Sequence, residues 1–274
     1  MSTAPTFIRP ADLDGVTAAL SDGDALIVGG GTMVVPELTH GRIRPSALVD
    51  LGRAGLAGVT TAAGTTVVGA MTTYTELEHS AVPLLATMAH GITGGPQIRH
   101  RGTVGGSASY ANPSSDVPAC LVALDARLLL AWAGGVREVA AADFFLGAFR
   151  TVREPDEVLA AITVPDVTTF GYVKFKLVEG SWPIVTAATV VRADSLRVVL
   201  GGAAPVPAAV TLDLPSAGTA DPAWRDHVRT AVTEGIEIAG GPWDDVLAPG
   251  EYRARIAPVI AARSVARALD EESR

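Results

Sequence analysis

Gln97-Ile98-Arg99-His100-Arg101-Gly102-Thr103-Val104-Gly105-Gly106-Ser107 puts three glycines and two hydroxyl residues into its last six positions. A backbone free to pass through positive φ can gather its N–H groups into a concave anion site. Nearer the start, Val28-Gly29-Gly30-Gly31-Thr32-Met33 repeats the pattern at the end of the apolar run Ala25 to Val28. Either cluster alone also reads as an ordinary turn. Together, with Thr32 beside one and Thr103 and Ser107 in the other, they predict a pyrophosphate held from both sides.

Several other nucleotide and catalytic motifs fail on inspection. The dinucleotide fingerprint needs G-x-G-x-x-G, and after Gly29 and Gly31 the third glycine position is Val34. A phosphate loop of the G-x-x-x-x-G-K-[ST] type needs a lysine, and the only lysines are Lys174 and Lys176. No G-x-S-x-G elbow occurs, and Cys120 lies in an apolar helical pattern that suits an inert buried thiol. Asp244-Asp245 and Glu37 with Asp50 have no context marking them as acid and base, so no catalytic residue is assigned. The five histidines are scattered without metal-ligand spacing, and no metal site is assigned.

Composition narrows the class. The 274 residues carry 29 acids against 21 bases, a net charge of -8, with no basic stripe for a nucleic acid. Met1 to Pro10 lack a basic leader and an apolar h-region, which points to the cytoplasm. The most apolar stretch, Val117 to Ala133, is broken by Asp125 and Arg127, so no membrane span is expected. One cysteine cannot hold an iron–sulfur cluster, and any cluster chemistry must come from a partner.

Periodicity predicts helix over Ala11 to Leu20, strand over Ala25 to Val28, helix from Val34 to Leu38, and strands at Ala47 to Leu51, Val59 to Thr61 and Thr66 to Gly69. Thr73 stands three before Glu76, a capping-box spacing that starts a helix. A helix follows Val82. Another runs from Val117 to Ala126 with Pro118 in its first turn and Asp116 in the N-cap position. Arg127 to Ala133 and Val136 to Ala140 read as a hairpin turning at Gly134-Gly135. Tyr172 to Leu177, Ile184 to Val191 and Leu196 to Leu200 read as a small antiparallel sheet. Pro205 to Pro222 reads as a surface connection, before helices at Ala223 to Ile238 and Tyr252 to Leu269. Lys174 and Lys176 share one strand face, which reads as a solvated strand, although the clustering of the chain's only two lysines also points to a site.

These residues resemble the flavoprotein medium chain of bacterial molybdenum-containing hydroxylases, typified by aerobic carbon monoxide dehydrogenase, over nearly the whole chain. The similarity is carried by Gly29-Gly30-Gly31-Thr32 with Pro36, by Gly69-Ala70-Met71-Thr72-Thr73, and above all by Gln97 to Ser107 continuing through Asn112-Pro113-Ser114-Ser115-Asp116-Val117-Pro118. Asp143-Phe144-Phe145, Gly180-Ser181-Trp182 and Glu251-Tyr252-Arg253 with Arg263 extend it.

The resemblance implies an α+β fold: a two-part FAD-binding domain of the p-cresol methylhydroxylase and vanillyl-alcohol oxidase type over residues 1–167, then a C-terminal domain over 168–274 with an antiparallel sheet and helices. It implies FAD as cofactor. Gly29, Gly30, Gly31, Thr32 and Met33, with Thr103, Val104, Gly105, Gly106 and Ser107, would wrap its pyrophosphate. Asp116 would hydrogen-bond the nucleotide, Leu159 and Lys174 would lie near its adenine or isoalloxazine ends, and Ile92 and Thr93 would approach the ring. It further implies an electron-transfer subunit working with a large molybdopterin-binding subunit and a small 2Fe-2S subunit in a dimer of heterotrimers.

The chain departs from that pattern at Gly29, Met33 and His100, and it has Lys176-Leu177 where relatives carry adjacent arginines. Two other readings keep the fold: a free-standing FAD-dependent oxidoreductase, and a flavin-free assembly scaffold.

Overall fold

The computed structural model describes residues 4–271. Its first layer is parallel: β1 (Thr6–Ile8), α1 (Leu13–Leu20), β2 (Ala25–Val28), α2 (Val34–Thr39) and β3 (Ala47–Asp50) make a three-stranded sheet in the order β1-β3-β2. Parallel neighbours need crossovers, which α1 and α2 supply. Asp12 starts α1 by accepting the Gly15 N–H at 2.8 Å, and Val16 and Leu20 bury with Val49.

The second layer begins with the hairpin β4 (Val59–Ala62) and β5 (Thr65–Gly69), followed by five helices: α3 (Tyr74–Leu77), α4 (Pro83–His90), α5 (Pro96–Arg99), α6 (Val104–Tyr110) and α7 (Asp116–Ala123). Next come β6 (Arg127–Trp132), β7 (Gly135–Ala140), α8 (Ala141–Phe144), β8 (Phe145–Gly147), β9 (Arg150–Thr151) and β10 (Val158–Pro165). The antiparallel sheet runs β4-β5-β10-β6-β7, so the last strand made lies in the middle. Thr73 and Glu76 form the expected reciprocal capping box at α3.

The third layer is an antiparallel sheet of β11 (Phe170–Lys176), β12 (Pro183–Val191), β13 (Ser195–Gly201) and β14 (Ala208–Asp213). The helices α9 (Pro222–Ile238) and α10 (Gly250–Glu271) pack on it. Every residue of α7 is buried, and α7 packs on β12 and β13. Alternate residues of β12 point to different cores: Ala188 and Val190 join the cluster around α7, while Val185 and Ala187 join that of α9 and α10. Covered on both faces, β12 is apolar apart from two buried threonines, Thr186 and Thr189.

One wholly buried charge locks these layers. Arg253 of α10 donates to the carbonyls of Ile184, Gly202 (2.9 Å) and Ala248 (3.2 Å) and pairs with Asp245. Asp245 in turn accepts the Ser114 hydroxyl at 2.9 Å, two residues ahead of α7.

Four expectations change. The second glycine segment is not a loop but the first turn of α6, with Thr103 as N-cap. Ser115, not Asp116, occupies the N-cap position of α7, and Asp116 is its first helical residue. The 127–140 hairpin turns at Ala133-Gly134, because Trp132 pairs with Gly135. The stretch read as a surface connection contains β14, whose residues alternate strictly between buried and exposed. No helix among the described residues is long and apolar enough to cross a membrane.

Candidate functional site

The site begins where β2 stops. Past Val28 the chain turns through the first glycine segment, and Gly30 rests directly on the backbone ahead of α6. A Cβ at Gly30 would lie 1.8 Å from the Arg101 carbonyl oxygen. Only glycine permits that approach.

The two segments differ in what they offer a ligand. Among the described residues, no hydrogen bond within the chain uses the N–H groups of Gly29, Gly30, Gly31, Thr32 or Met33. In the second segment the amides from Val104 to Ser107 are occupied: Val104 donates to the Thr72 carbonyl at 3.1 Å and Gly105 to the Ala70 carbonyl at 2.9 Å. Gly106 donates to Thr103 Oγ1 and Ser107 to the Thr103 carbonyl, each at 3.1 Å. Bare amides were expected in both segments; the first has five, whereas among the described residues the second, from Arg101 to Ser107, keeps only that of Thr103. Gly105 is glycine for packing, since a Cβ there would stand 2.5 Å from that of Ala70.

Around this junction runs a cleft of two lobes that share Thr32, Met33 and Ser107. The first encloses about 970 Å3 with its open mouth and is walled by Ala25, Ile27, Val158 and Leu159, with Arg153 at its edge. The second encloses about 800 Å3 and is lined by Tyr74, Ile92, Thr93, Asp116 and Trp182. Both lobes open to solvent, and these volumes include that open space.

Behind the second lobe lies a buried polar network. Asp116 accepts from the Tyr172 hydroxyl through one oxygen and from Lys174 Nζ, at 2.8 Å, through the other. Lys174 also donates to the Gly91 carbonyl at 2.9 Å, fixing the residue before Ile92 and Thr93. The two charged side chains are 5% and 8% exposed, so the solvated reading of Lys174 is wrong. Lys176 pairs instead with exposed Glu179. Tyr74 shares a hydrogen bond with the Ser107 hydroxyl, and burial pushes the Tyr74 phenol well above its usual range.

Thirteen of the fifteen residues singled out by sequence line the two lobes. The other two, Val104 and Lys174, do not: Val104 is a core residue and Lys174 lies behind Asp116. Sequence reading missed Arg153, Tyr74 and Trp182. For Tyr74 a signal existed, since it directly follows the capping residue Thr73. Five bare amides beside backbone that no side chain can enter fit a pyrophosphate, and the lobes on either side leave room for flat, largely apolar groups.

Residues 2–167 match the family model described as the FAD binding domain in molybdopterin dehydrogenase. The carbon monoxide dehydrogenase medium chain of Afipia carboxidovorans is 31% identical over 286 residues, covering 96% of each chain. That of Hydrogenophaga pseudoflava is 34% identical over 196 residues, covering 66% of this chain and 68% of that one. A chain in the crystal structure of quinoline 2-oxidoreductase from Pseudomonas putida superposes with a TM-score of 0.87 at 26% identity, over the full length of both.

Proposed function

The chain belongs to the family of FAD-binding domains in molybdopterin dehydrogenases, and from that premise we propose that it is the FAD-carrying medium subunit of a molybdenum-containing hydroxylase. In this reading it takes electrons from a small 2Fe-2S subunit, fed by a large molybdopterin-binding subunit, and passes them to an external acceptor. A dimer of heterotrimers, a cytoplasmic location, and a division into residues 1–167 for FAD and 168–274 for the C-terminal domain belong to the same proposal. The observation that carries it is the row of bare amides from Gly29 to Met33 set against α6 at the junction of two cleft lobes.

FAD, when bound, supplies the redox chemistry, exchanging electrons between donor and acceptor. The residues supply position and environment. The amides of Gly29 to Met33, with the hydroxyls of Thr32 and Ser107, hold the pyrophosphate; Thr103, Gly105 and Gly106 form the floor beneath it. Leu159 lies on the adenosine side, in the first lobe. Ile92 and Thr93 meet the ring in the second, and Asp116, held in place by Lys174, meets the nucleotide. The single cysteine, Cys120, is wholly buried, and burial pushes its thiol well above the usual range, so it holds no cluster and takes no covalent role.

The test is direct. Full-length protein should carry flavin absorbance or take up one equivalent of added FAD, and it should co-purify with a large and a cysteine-rich small chain when these are co-expressed. Protein that shows no flavin absorbance and takes up none from added FAD would overturn the reading.

A further inference from the structure

The first lobe holds one charged residue that neither the motifs nor the comparisons single out. Arg153 lines that lobe together with Val158, Leu159 and the β2 residues Ala25 to Ile27. Its Nη1 donates to the carbonyls of Glu154 and Glu157, each at 2.8 Å. Among the described residues its Nε and Nη2 make no hydrogen bond within the chain, and it enters none of the ion pairs. The neighbouring carboxylate, Glu157, is already taken: Arg137 grips it through two nitrogens at 2.6 and 2.9 Å, and the Glu154 amide donates to it at 2.8 Å. The 152–157 turn is thus stiffened from within, and it presents a guanidinium whose remaining donors have no partner. Burial pulls its pKa down, against the opposing pull of the nearby Glu157, Asp156 and Glu154 carboxylates.

The free Nε and Nη2 stand open to solvent and to any group that enters the lobe. The lobe adjoins the amide cradle at Gly29 to Met33, so its occupant is joined to a phosphate. A guanidinium completes such a group through its fork of donors, to phosphate or ribose oxygens, or through its flat face against an aromatic base. We infer that Arg153 recognises the adenosine diphosphate half of the cofactor and makes the site select FAD over FMN. This rests on the FAD reading above.

The experiment titrates flavin-free full-length protein with FAD and separately with FMN, following flavin fluorescence, and measures the thermal midpoint of each ligand-free variant. Arg153→Leu should weaken FAD binding about tenfold or more and leave FMN binding unchanged, while the ligand-free midpoint reports the separate loss of its two carbonyl bonds. FAD affinity equal to wild type, or FAD and FMN affinities falling by one factor, would overturn the inference. Should Arg153→Leu fail to fold, Arg153→Lys decides. It keeps the charge but loses the fork, and should bind FAD several-fold more weakly; an unchanged affinity overturns the inference. Wild-type protein that binds neither flavin defeats the FAD reading itself, a result separate from a variant that matches a competent wild type.

Discussion

Lys174, on the first strand of the C-terminal sheet, forms a 2.8 Å ion pair with Asp116, the first residue of the helix at the centre of the molecule. The pair is almost fully removed from water and has a third member, the Gly91 carbonyl, which ties it to the Ile92-Thr93 wall of the cleft.

Breaking it from one side should be severe. Lys174→Met leaves a buried carboxylate without its cation, a loss of about 3–5 kcal/mol in the range seen for broken buried pairs. Urea unfolding should show this, and adding Asp116→Asn to Lys174→Met should recover part of it. An additive double-mutant cycle would count against the coupling.

The contact between Gly30 and Arg101 is equally exposed to test. Gly30→Ala puts a methyl where the Arg101 carbonyl already stands, so the loop must move off α6. The expected cost is about 1–3 kcal/mol, the range for overpacking. Flavin should be lost during purification, measured as the absorbance ratio of flavin to protein.

Thr103 caps α6 through the Gly106 N–H, where two glycines in the first turn make the helix intrinsically weak. Thr103→Ala should destabilise the fold by about 1 kcal/mol, and Thr103→Ser should restore most of it. Thermal melts of the three proteins decide the point.

Acid should weaken the lock at Arg253. Burial would raise the Asp245 carboxyl, but the Leu247 N–H, the Ser114 hydroxyl and the Arg253 guanidinium together hold it below its usual value. A carboxyl lowered in the folded state contributes stability that is full above its unfolded value and is lost as pH falls through the folded one. The penalty of Asp245→Asn should therefore be greatest near pH 7, about 3 kcal/mol for a buried arginine left unpaired, and should shrink below about pH 4. Denaturation midpoints at pH 7 and pH 3.5 test the sign.

Cys120 should resist thiol reagents in the native protein and react only after denaturation, because burial both shields the sulfur and keeps it protonated. Labelling in the folded state, followed by mass, would show that α7 opens.

Much of this was legible from residues alone, where local chemistry and final structure agree. The Thr73-Glu76 box, the 127–140 hairpin and the two closing helices are written in caps, turns and periods that act within a few residues. What escaped depends on distant partners. The segment from Gly105 reads as a loop because glycine is a poor helix former, and it becomes helix because Thr103 caps it and Ala70 accepts its amide. Asp116 reads as a cap until Tyr172 and Lys174, more than fifty positions away, claim its oxygens. The run Ala208 to Asp213 alternates cleanly, yet prolines and small residues around it hide a strand that only β13 can pair. The same limit applies within the site: glycines announced a cradle, but which amides stay bare is set by tertiary hydrogen bonds.

The middle position of β10 has a consequence for how the molecule is assembled during synthesis. Four strands of that sheet leave the ribosome as two hairpins, β4-β5 and β6-β7, neither of which touches the other until β10 arrives to pair with both. Isolated hairpins are marginal in water, so the nascent chain has no settled second layer before residue 165. Val158 and Leu159, which wall the first lobe, come on that same strand. A product truncated before β10 therefore lacks both the central strand of the sheet and the Val158-Leu159 wall of the first lobe.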